Sequence, residues 1–496
     1  MTDTQHSSLT QIINFRKEKL SKLRESGVNP YPVSYALDHH SREILENYDS
    51  LEKQTVRVAG RIMSLRKMGK ASFCHIQDEQ GKIQLYIRRD DVGVDGYAQF
   101  KLLDLGDIIG VQGWVFKTKT EEISIHATEV TVLAKSIRPL PVVKEKEGEV
   151  FDAFEDKELR YRNRHLDLIT NPEVRQVFKT RAGIIAYLRR YLDERGYLEV
   201  ETPILQPLYG GANARPFVTH HNTLDQEFYL RIADELYLKR LIIGGFEKVY
   251  ELSKNFRNEG MDRNHNPEFT ALEFYQAYVD YEFMMDFVQD LVQGIGEFLG
   301  KLHLNWNGAE IDLSQPFRRI PILTALSEAL NRDIQASDAT ELRAVAQEKG
   351  INTENLSTYG QILDELMKHL VEPHLIQPTF IMDYPKAISP LAKPHRSGQA
   401  NLVERFELFI GGAEFANAFT ELNDPLDQRQ RFEAQAELGR AGDEEAQPVD
   451  ENFLEAVETG MPPTGGVGIG IDRLVMLFTE KRSIKDVILF PTLKRI

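Results

Sequence analysis

Cysteine is almost absent: Cys74 is the only one in 496 residues. That excludes internal disulfides and cysteine-rich zinc sites, and leaves a small buried hydrophobe as the plainest role for the thiol. Long apolar runs are missing too. No stretch approaches the roughly eighteen residues of a membrane-spanning helix, and MTDTQHSSLT at the start has neither the charged nor the apolar region of a secretory signal. A cytoplasmic protein with no membrane association is expected. Positive charge is also short, with a net charge of -16, but unevenly so. Residues 1–140 hold 20 Lys and Arg against 18 Asp and Glu, which leaves 40 against 58 for the rest. A polyanionic partner is therefore met more easily by the first part of the chain, and the acidic remainder needs local cations or metal ions to hold an anion.

What is present falls into blocks. Residues 9–26 repeat at helical spacing, with Ile12, Ile13, Leu20 and Leu23 on one side and Arg16, Lys17, Lys19, Lys22 and Arg24 on the other, until Gly27 and Pro30 stop the pattern. From Thr55 to Ser136 five short alternating segments separated by Gly and charged turns predict a small closed barrel of the oligonucleotide-binding type, with one helix near Gly96–Leu105. Its face would show Phe73, His75, Gln84, Tyr86 and Arg88, with Arg61, Arg66 and Lys67 nearby. Such a mix suits unstacked bases, although a merely exposed barrel face has the same composition. Residues 1–54 then form a helical segment, 55–140 the barrel, 141–170 a linker, and 171–496 an α/β-patterned region with a helical insertion at about 336–369. In that region Asn171 and Pro172 open a helix that Gly196 ends, and Gly442–Asn452 reads as an acidic loop.

Val249–Tyr275 is the richest stretch. Two strand-like runs flank a loop that packs Arg257, Glu259, Arg263, His265 and Glu268 together, where an ordinary hairpin turns in two to five residues. Arginine and histidine suit a polyphosphate, a carboxylate suits a base amino group, and a ring suits stacking. A solvated polar connection is the other reading of the same residues. Near the end, Gly466, Gly468 and Gly470 alternate on a strand before Asp472 and Arg473. Ile471 breaks any dinucleotide fingerprint. The bare strand face would admit either a flat ligand or a closely packed helix.

GYLEVETP around Pro203, FRNE at Phe256–Glu259 followed by HNPEF, and GIGIDR at 468–473 resemble, in order, the three motifs of the class II aminoacyl-tRNA synthetases. The barrel preceding them marks the subclass for lysine, aspartate and asparagine. RYRNRHLDL, GGANARPF and FIGGAEFANAFTELNDP are most similar to its lysine branch, and the likeness spans nearly the whole chain. The resemblance implies an α+β fold, a five-stranded OB-fold barrel plus a mostly antiparallel catalytic sheet flanked by helices. It implies a homodimer that activates L-lysine with ATP and Mg2+ and transfers it to tRNA(Lys).

By the same resemblance Arg257 and Arg473 are catalytic. ATP would meet Arg257, Glu259, His265, Asn266, Phe269, Glu407 and Arg473, with magnesium on Glu407 and Glu414, unless one of these is a plain surface glutamate. Lysine would meet Gly211, Glu235, Glu273, Tyr275, Asn417, Phe419 and Glu421. A dication needs more than one carboxylate and an apolar wall for its stem. The pair for the middle anticodon base would be Phe73 and Gln84. One departure stands out: relatives often carry arginine where this chain has Asn264, with Arg263 one place earlier. Transfer of lysine to a protein, or a non-catalytic tRNA-binding role, are the alternative functions.

Overall fold

The computed structural model describes residues 3–141, 144–146, 149–151, 154, 156–353, 356, 358–399, 401–440 and 447–495. Two compact units divide the chain, Met1–Asp156 and Lys157–Ile496. In the first, helix α1 (Asp3–Glu25) precedes strands β1 (Thr55–Met68), β2 (Ala71–Gln77), β3 (Lys82–Arg88), β4 (Ile108–Lys117) and β5 (Ile123–Ala134). These close into a barrel in the order β1-β2-β3-β5-β4. Buried and exposed positions alternate along β1, as a half-buried strand requires. Cys74 lies in the barrel core, where burial pushes its thiol up to about 12. The sides expected for α1 differ in the structure. Leu23 is buried but Ile12 is exposed, while Arg16 from the basic side is buried, donating to the carbonyls of Leu105, Ser136 and Arg138.

In the second unit, residues 157–170, read above as linker, form two short helices. Buried Arg164 pairs with Asp167 at 2.6 Å and donates to the carbonyls of Lys485, Ile488 and Leu489. The RYRNRHLDL text thus pins the last segment of the chain. Helix α2 (Pro172–Asp193) follows with Pro172 in its first turn, but the Asn171 side chain bonds Asp167 instead of capping the helix.

An eight-stranded sheet carries the unit. In chain order its strands are β6 (Leu198–Glu199), β7 (Lys248–Phe256), β8 (Glu268–Ala277), β9 (Arg318–Pro321), β10 (Thr379–Met382), β11 (Arg405–Ile410), β12 (Ala413–Thr420) and β13 (Thr464–Gly470). The spatial order is β9-β10-β11-β12-β13-β8-β7-β6, antiparallel except for the two edge pairs. One face packs against α2, α4 (Tyr281–Leu299) and α8 (Ile471–Phe478) in the main core. Alternate residues on the other face, such as Ile381 and Phe409, cover a second cluster with helices α5 (Ala339–Glu348) and α6 (Tyr359–Leu370). Helix α3 (Glu235–Ile243) packs on Val249 and Tyr275. Of the expected acidic loop, residues 442–446 lie outside the described residues, and from Glu451 the chain is helical, α7 (Glu451–Glu458).

Candidate active site and nucleic-acid face

Strands β7 and β8 pair down to Phe256 opposite Glu268, so residues 257–267 form a loop off the sheet end. Asp262 organises it by accepting from the amides of Asn264 and His265 at 2.6 and 2.7 Å and from His265 Nδ1 at 2.8 Å, an Asx turn. His265 Nε2 is thereby held 3.3 Å from Arg473 Nη2, while Arg473 Nη1 donates to the Glu414 carbonyl at 2.6 Å. The Arg257 guanidinium lies 5.2 Å over the Phe269 ring, and its buried Nε has no hydrogen-bond partner among the described residues. Asn266 is turned to the chain: its Nδ2 donates to the Glu268 carbonyl and its Oδ1 accepts from the Thr492 amide. Asn264 lines the cavity beside the loop and Arg263 does not.

The second edge is the β11–β12 hairpin, which turns at Gly411 and Gly412, both at positive φ (58° and 77°) as such a tight turn requires. Glu407 sits opposite Asn417, and Phe409 sits opposite Glu414 after a register shift. The bulge leaves Phe415 and Ala416 both in the core. Without it, the period of two would put Glu414 and Asn417 on opposite faces. Glu407 accepts from Tyr384 Oη at 2.8 Å and from Arg405 Nη2 at 2.5 Å. Burial first, and Glu414 next among the groups that raise it, push Glu407 up to about 7 against the pull of Arg405. Two carboxylates facing one space suit a hard cation that takes its remaining oxygens from phosphates. Arg405, which the sequence reading did not single out, also donates to Asn417 Oδ1 and stacks on Tyr384 and Phe419.

Between these edges lies a cavity of about 410 Å³, lined by every residue assigned above to ATP, lysine or metal. Its far end is acidic. Glu235, Glu273 and Glu421 are all buried there, with the Tyr275 hydroxyl donating to Glu273 at 3.1 Å. Burial pushes Glu421 up to about 8, against the pull of Lys239. Burial, then Asp234, holds Glu273 well above the carboxylate range. Lys239 and Asp234 are both fully buried and both absent from the sequence reading. Lys239 is bonded to Glu235 and Glu421, and Asp234 is beside Glu273. Neither could be singled out from its sequence neighbours before the fold placed them.

The glycine strand does two jobs. A Cβ on Gly466 would fall 2.1 Å from Glu421 Oε1 and 2.4 Å from the Tyr275 ring. Gly465, facing the other way, would meet Met284 of α4 at 3.0 Å. The alternating glycines 466, 468 and 470 line the cavity, while close approach to a helix falls to Gly465, outside that set. Gly211, at φ 87°, crosses Ala233 and Glu235 so closely that a Cβ would stand 3.1 and 3.2 Å from them.

In the barrel, cross-strand partners line up as Phe73, Tyr86, His126 and Trp114 over β2, β3, β5 and β4. Phe73 and Tyr86 have ring centroids 4.9 Å apart, and Trp114 stacks on His126 at 3.9 Å. The sequence reading missed the last two, because only register brings β5 and β4 beside β3. Gln84 lies in the next row, its amide donating to Glu122 at 2.7 Å and accepting from Ser124 at 2.9 Å. The cations expected at this face are largely engaged: Arg61 on the Gly106 carbonyl, Lys67 on Lys101 and Leu103, and Arg88 on Asp91. Arg66 stands opposite Phe73.

Residues 156–494 match the family model of the class II tRNA synthetases (D, K and N). The chain belongs to this family. Residues 56–133 of this synthetase match the model of the OB-fold nucleic acid binding domain. It is 51% identical over 492 residues to a lysine--tRNA ligase of Carboxydothermus hydrogenoformans, covering 99% of each chain. A lysine--tRNA ligase of Pelotomaculum thermopropionicum is 52% identical over 490 residues, 98% of this chain and 95% of that one. One of Moorella thermoacetica is 52% identical over 485 residues, 97% and 98% respectively. Among the described residues no helix is long and apolar enough to cross a membrane.

Proposed function

We infer that this synthetase activates L-lysine with ATP and transfers it to tRNA(Lys). The observation that carries the reading is the acidic, buried end of the cavity set against a cationic loop: Glu235, Glu273 and Glu421 at one end, Arg257, His265 and Arg473 at the other. Lysine brings two ammonium groups and ATP brings phosphates, so each end complements one substrate.

The lysine carboxylate displaces pyrophosphate from the α-phosphorus in line, giving lysyl-adenylate, and the terminal ribose hydroxyl of the tRNA then takes the lysyl group and releases AMP. No side chain acts as nucleophile. The chain's part is positioning and charge stabilisation. Arg257, held over Phe269 with a buried Nε that is unpaired among the described residues, meets the α-phosphate and the lysine carboxylate. Phe269 stacks on adenine and Glu259 accepts from its amino group. His265 and Arg473 receive the outer phosphates. Glu421 and Tyr275 take the ε-ammonium, Phe419 lies along the stem, and Glu235 with Gly211 meets the α-ammonium. Glu407 and Glu414 would hold magnesium, which neutralises phosphate charge.

Phe73 stacks on the middle anticodon base while Gln84 reads its edge. A second copy of the chain would cover the exposed apolar side chains of Leu198, Ile204, Leu205 and Val218. The barrel argues for an RNA acceptor over a protein one, and the convergence of intact motif residues on one cavity argues against a non-catalytic role. Lysine-dependent exchange of pyrophosphate into ATP, followed by charging of total tRNA, tests the reading. Arg257→Ala should reduce exchange at least about 10²-fold; near-normal exchange would sink the assignment.

A further inference from the structure

Lys239 is fully buried and does not line the cavity, yet both of its partners do. Its Nζ lies 2.6 Å from Glu235 Oε1, one turn back on α3, and in direct contact with Glu421 Oε2 at the end of β12. Both pairs are buried, with the Phe453 ring of α7 6.0 Å from the ammonium. One ammonium therefore joins a helix to a strand through the two carboxylates that face the cavity on either side of it. An ion pair of this kind seldom adds net stability over an apolar pair, but removing one partner strands the others as unpaired buried charges.

We propose that Lys239 is a positioning residue for the amino-acid end of the site: an internal counter-cation, out of the ligand's reach, that aims Glu235 and Glu421 into the cavity and keeps both able to carry charge there. The inference rests on the lysine reading above. Without Lys239 the neighbourhood would be almost wholly acidic. Glu235 faces it from α3 and Asp234 from just before that helix, Glu421 from the end of β12, and Glu273 with the Tyr275 hydroxyl from β8, while Arg405 on β11, a cation that also acts on Glu235, is bonded to Glu407. Burial alone disfavours the ammonium, but Glu235 and Glu421 outweigh it and hold Lys239 above the ordinary lysine value. The same attraction opposes the burial that pushes Glu421 up to about 8. Lys239 thus keeps Glu421 within range of ionisation at the pH where an incoming ammonium must pair with it.

The test is lysine-dependent pyrophosphate exchange from pH 6 to 9 with the unaltered protein, Lys239→Met, which keeps the stem and loses the charge, and Lys239→Gln, which keeps donors without charge. Expected for both variants is a KM for lysine raised at least about ten-fold at pH 7, with KM for ATP and kcat at saturating lysine within about three-fold. The midpoint of the pH dependence of 1/KM should move up by about one pH unit or more. A merely structural lysine would lower the melting temperature and leave that midpoint in place. If Lys239→Met does not fold, Lys239→Gln is judged alone on the same midpoint. An unchanged midpoint and KM in a folded variant overturns the proposal. Absence of lysine exchange by the unaltered protein would instead overturn the functional reading.

Discussion

Glu414 and Asn417 stand three residues apart on one strand and face the same cavity, because Phe415 and Ala416 between them both turn into the core. That bulge is what puts Glu414, opposite Phe409, on the cavity that Glu407 and Asn417 also line. Glu414→Gln should raise the magnesium concentration for half-maximal exchange about ten-fold. Its side chain is 40% exposed, so the melting temperature should hardly move. An unchanged magnesium titration would remove Glu414 from the metal site.

Neighbouring glycines separate stability from substrate binding. Gly466→Ala places a methyl group against Glu421 and Tyr275 and should raise KM for lysine at least about ten-fold while leaving KM for ATP alone. Gly465→Ala presses on Met284 and the Asp280 carbonyl instead, and overpacking of this kind costs about 1–3 kcal/mol. Thermal melts and exchange kinetics on the two variants should show opposite patterns.

The acidic pocket makes stability depend on pH with a definite sign. Glu421 is raised to about 8 by burial, against about 4.3 for an unfolded glutamate. The folded protein holds that proton longer, so this contribution is complete below about pH 4.3 and is lost as pH rises toward 8. Lysine pairing with the ionised form would relieve the loss. The rise in melting temperature given by saturating L-lysine should therefore be larger at pH 8 than at pH 6, and equal shifts would contradict the assignment of Glu421 to the ligand.

On the barrel, stacking on an aromatic side chain is worth about 1–3 kcal/mol per base. Phe73→Ala should lower kcat/KM for tRNA charging by about 5- to 150-fold and leave pyrophosphate exchange intact. Trp114→Ala, at the far end of the same aromatic row, tests in the same assay whether the row acts beyond Phe73.

Much of the protein was legible in its linear text. Strand alternation gave the barrel, the resemblance to the synthetase motifs implied the sheet-bearing unit, and the residues it assigned to ATP, lysine and metal all line one cavity. These are local signals, carried by a periodicity or a short run of chemistry. What sequence could not reach depends on register and on distant partners. Lys239 looks like any basic residue on a helix until the fold sets Glu421 against it, 182 positions on. Arg16 looks like part of a solvated face until its guanidinium meets carbonyls from another stretch of chain. Trp114 joins Phe73 only through the strand order, and Glu414 reaches the cavity only through a bulge. Burial converts such meetings into energy, because a charge or a ring removed from water must find its partner, and the tertiary structure alone decides which one.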